Sequence, residues 1–124
     1  MAKRILIADD EPNIVAALEF LLQRNGYEVH LARNGDEALK SIAQHKPDLV
    51  LLDVMMPLRS GYDVCQRVRE HEDWRHIKIV MLSAKGRDVE VNKGISLGAD
   101  LYITKPFSTR ELVTKINDLL GTGS

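Results

Sequence analysis

The sequence predicts an α/β domain built on a single doubly wound sheet. Five parallel strands are expected in the order 2-1-3-4-5, with helices on both faces. Three observations carry this. Strand-like and helix-like segments alternate five times with short connections, the pattern of successive β–α units. The first, third and fourth strand-like segments are near-continuous apolar runs, as expected for strands covered on both faces, whereas the second alternates and the fifth is short. A chain of 124 residues, 44% of them apolar, makes one domain able to bury roughly two-thirds of the surface its unfolded form exposes.

The elements follow in order. Arg4 to Ala8 is the first strand, and Ile14, Leu18, Leu21 and Leu22 then mark the inner face of a helix. Asn25-Gly26 ends that helix, with glycine supplying the positive φ of a C-terminal cap. Tyr27 to Ala32 is the second strand, and Ala38, Leu39, Ile42 and Ala43 mark the second helix. Leu49 to Leu52 is the third strand, and residues 61 to 71 form a helix turning Val64, Cys65 and Val68 inward. Ile77 to Leu82 is the fourth strand. Val89 to Leu97 is a weaker helix, containing Gly94 and ended by Gly98. Leu101 to Thr104 is the fifth strand, and Ser108-Thr109-Arg110-Glu111 is a capping box opening a helix with Leu112, Ile116, Leu119 and Leu120 inside.

Composition narrows the function classes. Seventeen Lys+Arg against 18 Asp+Glu leave a net charge of −1, which argues against direct nucleic-acid binding, because phosphate backbones need a basic surplus. The single cysteine, Cys65, excludes an internal disulfide framework and fits a reducing cytoplasm; it reads as a small core hydrophobe. No apolar run approaches the ~20 residues that cross a bilayer, so no membrane association is expected. The Met1-Ala2-Lys3-Arg4 start runs straight into a strand, leaving no room for a signal peptide. His30, His45, His71 and His76 show no ligand spacing and read as surface residues, Trp74 reads as a loop residue, and Met56-Pro57 shapes the loop after Asp53.

In a 2-1-3-4-5 sheet, ligands bind beyond the carboxyl ends of the strands, at the switch point between strands one and three. Strand one ends in Asp9-Asp10-Glu11, strand three in Asp53, strand four in Ser83, and strand five in Thr104-Lys105-Pro106. Carboxylates converging there repel unless a divalent cation joins them, and hard oxygen donors at this density suit Mg²⁺. No His or Cys pair has zinc spacing. Lys105 and Ser83 beside these acids would complete a site for a phosphoryl group, with Asp53, central and flanked by both neighbours, as a carboxylate nucleophile. Blander readings stand beside this one: Asp10 before Pro12 as a helix cap, Asp53 as a strand terminator, and Lys105-Pro106 as a rigid turn.

Over essentially its whole length the chain resembles the receiver domain of two-component response regulators, chemotaxis regulators included, which have a flavodoxin-like fold. The resemblance is carried by residues 5–12 (ILIADDEP), 48–57 (DLVLLDVMMP), 80–84 (VMLSA) and 98–100 (GAD), followed by 102–107 (YITKPF). It implies that Asp53 accepts a phosphoryl group from a histidine kinase, a phosphotransfer protein or a small phosphodonor. Asp10, Asp53 and the backbone carbonyl of Met55 would bind Mg²⁺ (or Mn²⁺) directly, with Asp9 acting mainly through water. Lys105 would pair with the phosphoryl group, and the Lys105-Pro106 peptide would be cis. Ser83 and Tyr102 would be the switch residues, although without the resemblance Tyr102 reads better as an edge-strand aromatic chosen for packing. Met55 and Lys85 occupy positions like the family's tuning sites for dephosphorylation, and the phosphorylated state is expected not to be unusually short-lived.

The output surface is expected to be the fourth helix, fifth strand and fifth helix, acting on a downstream protein or an output domain outside this chain. Where many family members have Gly-Met-Asp-Gly, this chain has Leu58-Arg59-Ser60-Gly61, which puts a positive charge near the rim of the site. A monomer or a weak dimer through the output face is expected, with Lys93 and Glu111 as one charge pair, Leu101 breaking a second and Lys115 left as a basic partner. The receiver is expected to span residues 1–120, with 121–124 a short tail or the start of a linker. The domain would catalyse only its own phosphoryl transfer and slow dephosphorylation. Three competing readings are weaker: an interaction module with an idle site, which would have little reason to keep crowded acids; an FMN carrier, which lacks a Ser/Thr/Gly-rich phosphate loop; and an aspartyl phosphatase, which needs an acid where Met55 stands.

Overall fold

The computed structural model describes residues 2–83 and 88–121, the side chains of residues 88–91 excepted. The elements are β1 (Arg4–Ala8), α1 (Pro12–Arg24), β2 (Glu28–Ala32), α2 (Gly35–His45), β3 (Leu49–Asp53), α3 (Gly61–Glu70), β4 (Lys78–Ser83), α4 (Asp88–Ser96), β5 (Leu101–Thr104) and α5 (Thr109–Leu120). The sheet is parallel throughout and ordered β2-β1-β3-β4-β5. Apolar continuity foretold this order, because β3 is wholly buried while β2 and β5 keep partly exposed positions at the edges.

Two cores flank the sheet. Alternate residues of the central strands, among them Leu6, Val50, Leu52 and Met81, pack with Ala38 and Ile42 of α2 and Val64, Cys65 and Val68 of α3. The other set, Ile5, Ile7, Leu49, Leu51, Val80 and Leu82, packs with Leu18 and Leu22 of α1 and Leu112 and Ile116 of α5. The period-two alternation of a strand makes both cores from one run of apolar residues. Cys65 is buried as expected, and burial pushes its thiol up to about 11.

Some details depart from the sequence reading. β3 and β4 each run one residue further, so Asp53 and Ser83 are the last residues of their strands. A 3-10 turn at Glu72–Trp74 follows α3, and the His71 and Trp74 rings stack across it at 3.9 Å. His30 and His45 also stack, at 3.8 Å. Ala43, expected on the inner face of α2, is exposed, because that face is filled by Ala38 and Ile42. Ser108 accepts the Glu111 N–H as a cap on α5, while a reciprocal capping box joins Ser60 and Asp63 at α3.

Candidate functional site

The parallel sheet gathers its carboxyl ends on one edge. β1 leads into Asp9 and Asp10, β3 ends on Asp53, β4 on Ser83, and β5 is followed by Lys105. Backbone bonds lock this edge: the Lys105 N–H donates to the Ser83 carbonyl at 2.7 Å, and the Val54 N–H to the Leu82 carbonyl at 3.0 Å. The Lys105–Pro106 peptide is cis. The entry to α3 lies hard against the end of β3, since a Cβ on Gly61 would fall 2.4 Å from the Asp53 carbonyl oxygen. No other residue fits there.

Asp9, Asp53 and Ser83 are the buried polar residues of the described chain. One carboxylate oxygen from each of Asp9, Asp10 and Asp53 lies within 4.8 Å of the others, with Asp10 on the exposed side. Each Asp9 oxygen already accepts one bond: Oδ1 from the Glu11 N–H at 2.9 Å and Oδ2 from Lys105 Nζ at 3.1 Å. Asp53 Oδ1 accepts the Met55 N–H at 3.3 Å and lies 3.7 Å from Lys105 Nζ. Burial, then the Asp9 charge, push the Asp53 carboxyl up to about 7 from its ordinary 3.8, against the pull of Lys105 and the Met55 N–H. Burial lowers the Lys105 pKa, but hydrogen bonds to Glu11 and Asp9 and the charges of Asp53 and Asp9 outweigh it, leaving the pKa raised.

The capping role considered for Asp10 is not taken. Glu11 occupies the cap position of α1, makes no side-chain cap bond, and is followed by Pro12 at the helix start. Met55 stands two residues past Asp53 and is 64% exposed. Lys85 lies outside the described residues. Tyr102 is half-buried, packs against the α2/α3 core, and holds its ring edge where a Cβ on Gly94 would come within 3.1 Å.

Several partners were not legible beforehand. Glu11 Oε1 accepts Lys105 Nζ at 2.9 Å, although in sequence it is only the third acid of a run. Arg59 does not stand free at the rim: its Nε donates to Asp36 Oδ1 at 2.6 Å, at the start of α2. Leu58 holds a left-handed φ of 69°, a region that costs glycine nothing and a branched side chain something. Lys93 sits over the Tyr62 ring at 4.5 Å, and Glu111 pairs with Lys115 at 3.2 Å, so the charges considered for a dimer have partners within the chain. Arg69 donates to the carbonyls of Gly98, Arg75 and Ile77 and pairs with Asp100, whose Oδ2 also accepts the Ile79 N–H.

This edge holds a buried Asp beside a cation, with two further acids whose oxygens lie near enough to share a hard metal. Comparison with known proteins gives the family. The family model described as the response regulator receiver domain matches residues 5–117. A protein described as a response regulator from Chloroflexus aurantiacus J-10-fl is 37% identical over 98% of this chain and 99% of its own, with a TM-score of 0.92. The signal receiver domain of a signal transduction histidine kinase from Syntrophus aciditrophicus is 33% identical over 97% and 91%, with a TM-score of 0.90. The chemotaxis response regulator CheY4 of Vibrio cholerae is 28% identical over 96% and 99%, also with a TM-score of 0.90. With its sheet order, its acidic strand ends and these matches together, the chain belongs to the response regulator receiver domain family of two-component signalling.

Proposed function

We propose that Asp53 is the phosphoacceptor of this receiver. The observation that carries the reading is its surroundings: a nearly buried carboxylate with Lys105 3.7 Å away and the Asp9 and Asp10 oxygens within 4.8 Å. In the step itself, an Asp53 oxygen bonds to the donor phosphorus as the donor's P–N or P–O bond breaks, and the donor leaves with that electron pair. Lys105 faces the phosphoryl oxygens, and the Ser83 hydroxyl donates to them only once they are present. That differential bond is what biases a two-state surface.

The donor set fits Mg²⁺. Asp10, Asp53 and the Met55 carbonyl would hold it directly, and Asp9 through water, in keeping with the Glu11 and Lys105 bonds that already occupy both Asp9 oxygens. When bound, the ion neutralises charge that the carboxylates and the phosphoryl oxygens would otherwise face unshielded.

The output runs through α4, β5 and α5, where Tyr102 rests on Gly94. Partners are a sensor histidine kinase or phosphotransfer protein upstream, and a downstream protein or output domain. The receiver spans residues 1–120, works in the cytoplasm as a monomer or weak dimer, and turns over only its own phosphoryl group. No helix among the described residues is long and apolar enough to cross a membrane.

The test is intact mass after incubation with acetyl phosphate and Mg²⁺. One added phosphate is expected, absent in Asp53→Asn and in metal-free controls. No gain, or a gain that survives Asp53→Asn, would refute the assignment.

A further inference from the structure

We propose that Glu11 is a positioning residue: it holds Lys105 in the unphosphorylated protein and gives it up when Asp53 carries a phosphoryl group. The inference rests on Asp53 being the acceptor.

Lys105 Nζ is 2.9 Å from Glu11 Oε1 and 3.1 Å from Asp9 Oδ2, but 3.7 Å from Asp53 Oδ1. The resting ammonium is therefore bonded to the β1 end of the site and stops short of Asp53. Among the described residues the Glu11 side chain is bonded to Lys105 alone. It makes no cap bond on α1, and the backbone N–H of Glu11 is held by Asp9. The Lys105 side chain is 10% exposed and that of Glu11 56%, so the pair ties a largely buried lysine to a carboxylate at the surface.

A phosphoryl group on Asp53 would bring three strong acceptors close to Lys105, whose Nζ already lies 3.7 Å from Asp53 Oδ1. A bond made in one state and weakened in the other favours the first state by their difference. Glu11 thus opposes phosphorylation through Lys105. The pair is partly exposed, so loss of the Glu11 charge should change the ratio of phosphorylated to free protein at steady state by about fivefold.

The full chain is treated with acetyl phosphate and Mg²⁺ over a range of donor concentrations, and the phosphorylated fraction is read by intact mass for wild type and Glu11→Gln. Separately, urea midpoints of the unphosphorylated wild type, Glu11→Gln, Lys105→Met and the double variant form a double-mutant cycle. The expected results are a half-saturating donor concentration about fivefold lower in Glu11→Gln and a non-additive cycle that shows coupling to Lys105. A wild type that takes up no phosphate would overturn the acceptor assignment and this inference with it. A phosphorylated wild type with an unchanged Glu11→Gln curve would overturn this inference alone. So would a shifted curve with an additive cycle, because Glu11 would then act by repelling the anionic donor.

Discussion

Lys105 Nζ stands 3.7 Å from Asp53 Oδ1, near enough to favour its charged form and too far to hydrogen-bond it. The buried carboxyl therefore keeps most of its desolvation penalty, and its pKa rises to about 7. The consequences of that balance can be measured.

The first concerns pH. Asp53 binds a proton more tightly folded than unfolded, so its contribution to stability is intact below about pH 4 and is lost as pH rises through about 7. Without metal, wild type should lose on the order of 3 kcal/mol between pH 4 and 8 from this group. Asp53→Asn should flatten that fall and be the more stable protein at pH 8. Urea midpoints in EDTA at both pH values decide it; equal slopes for the two proteins would sink the idea.

Adding Mg²⁺ should reverse the effect at neutral pH. A ligand that binds only the folded state stabilises it by about 2.7 kcal/mol at a hundred times its Kd. Thermal unfolding should shift upward with Mg²⁺ in wild type and much less in Asp10→Asn, whose carboxylate lies on the open side of the cluster. Equal shifts in the two would remove Asp10 from the donor set.

Gly94 sets two effects against each other. Alanine in a helix is worth up to about 1 kcal/mol over glycine. Here, however, its Cβ would meet Met81 Sδ at 2.9 Å and the Tyr102 ring at 3.1 Å, and overpacking costs about 1–3 kcal/mol. Gly94→Ala should therefore be destabilising by about 1 kcal/mol, and a rise in the urea midpoint would contradict it.

Arg69 joins the end of α3 to the segments entering β4 and β5 by donating to three carbonyls and the Asp100 carboxylate. Loss of this half-buried pair should cost about 2–4 kcal/mol. Lysine should not rescue it, because a single ammonium lacks the planar fork that reaches acceptors on both sides. Comparable urea midpoints for Arg69→Lys and wild type would show that charge alone suffices.

The sequence by itself determined the sheet and its order, because hydrophobic periodicity is local: unbroken Leu49 to Leu52 can only be central, and alternating Glu28 to Leu31 suits an edge. It also located Asp9, Asp10, Asp53, Ser83 and Lys105 at one edge, since parallel strands bring their carboxyl ends together whatever the side chains do. Only the tertiary structure decided how those groups pair. Lys105 lies 96 and 94 positions from Asp9 and Glu11, and nothing local tells it to bond those two and stop short of Asp53. Arg59 turning to Asp36, Lys93 to Tyr62, and Tyr102 to Gly94 are choices of the same kind. A strand end says which edge a residue occupies. Which neighbour its side chain meets depends on rotamers set by packing between elements distant in sequence, and that packing exists only once the chain has folded.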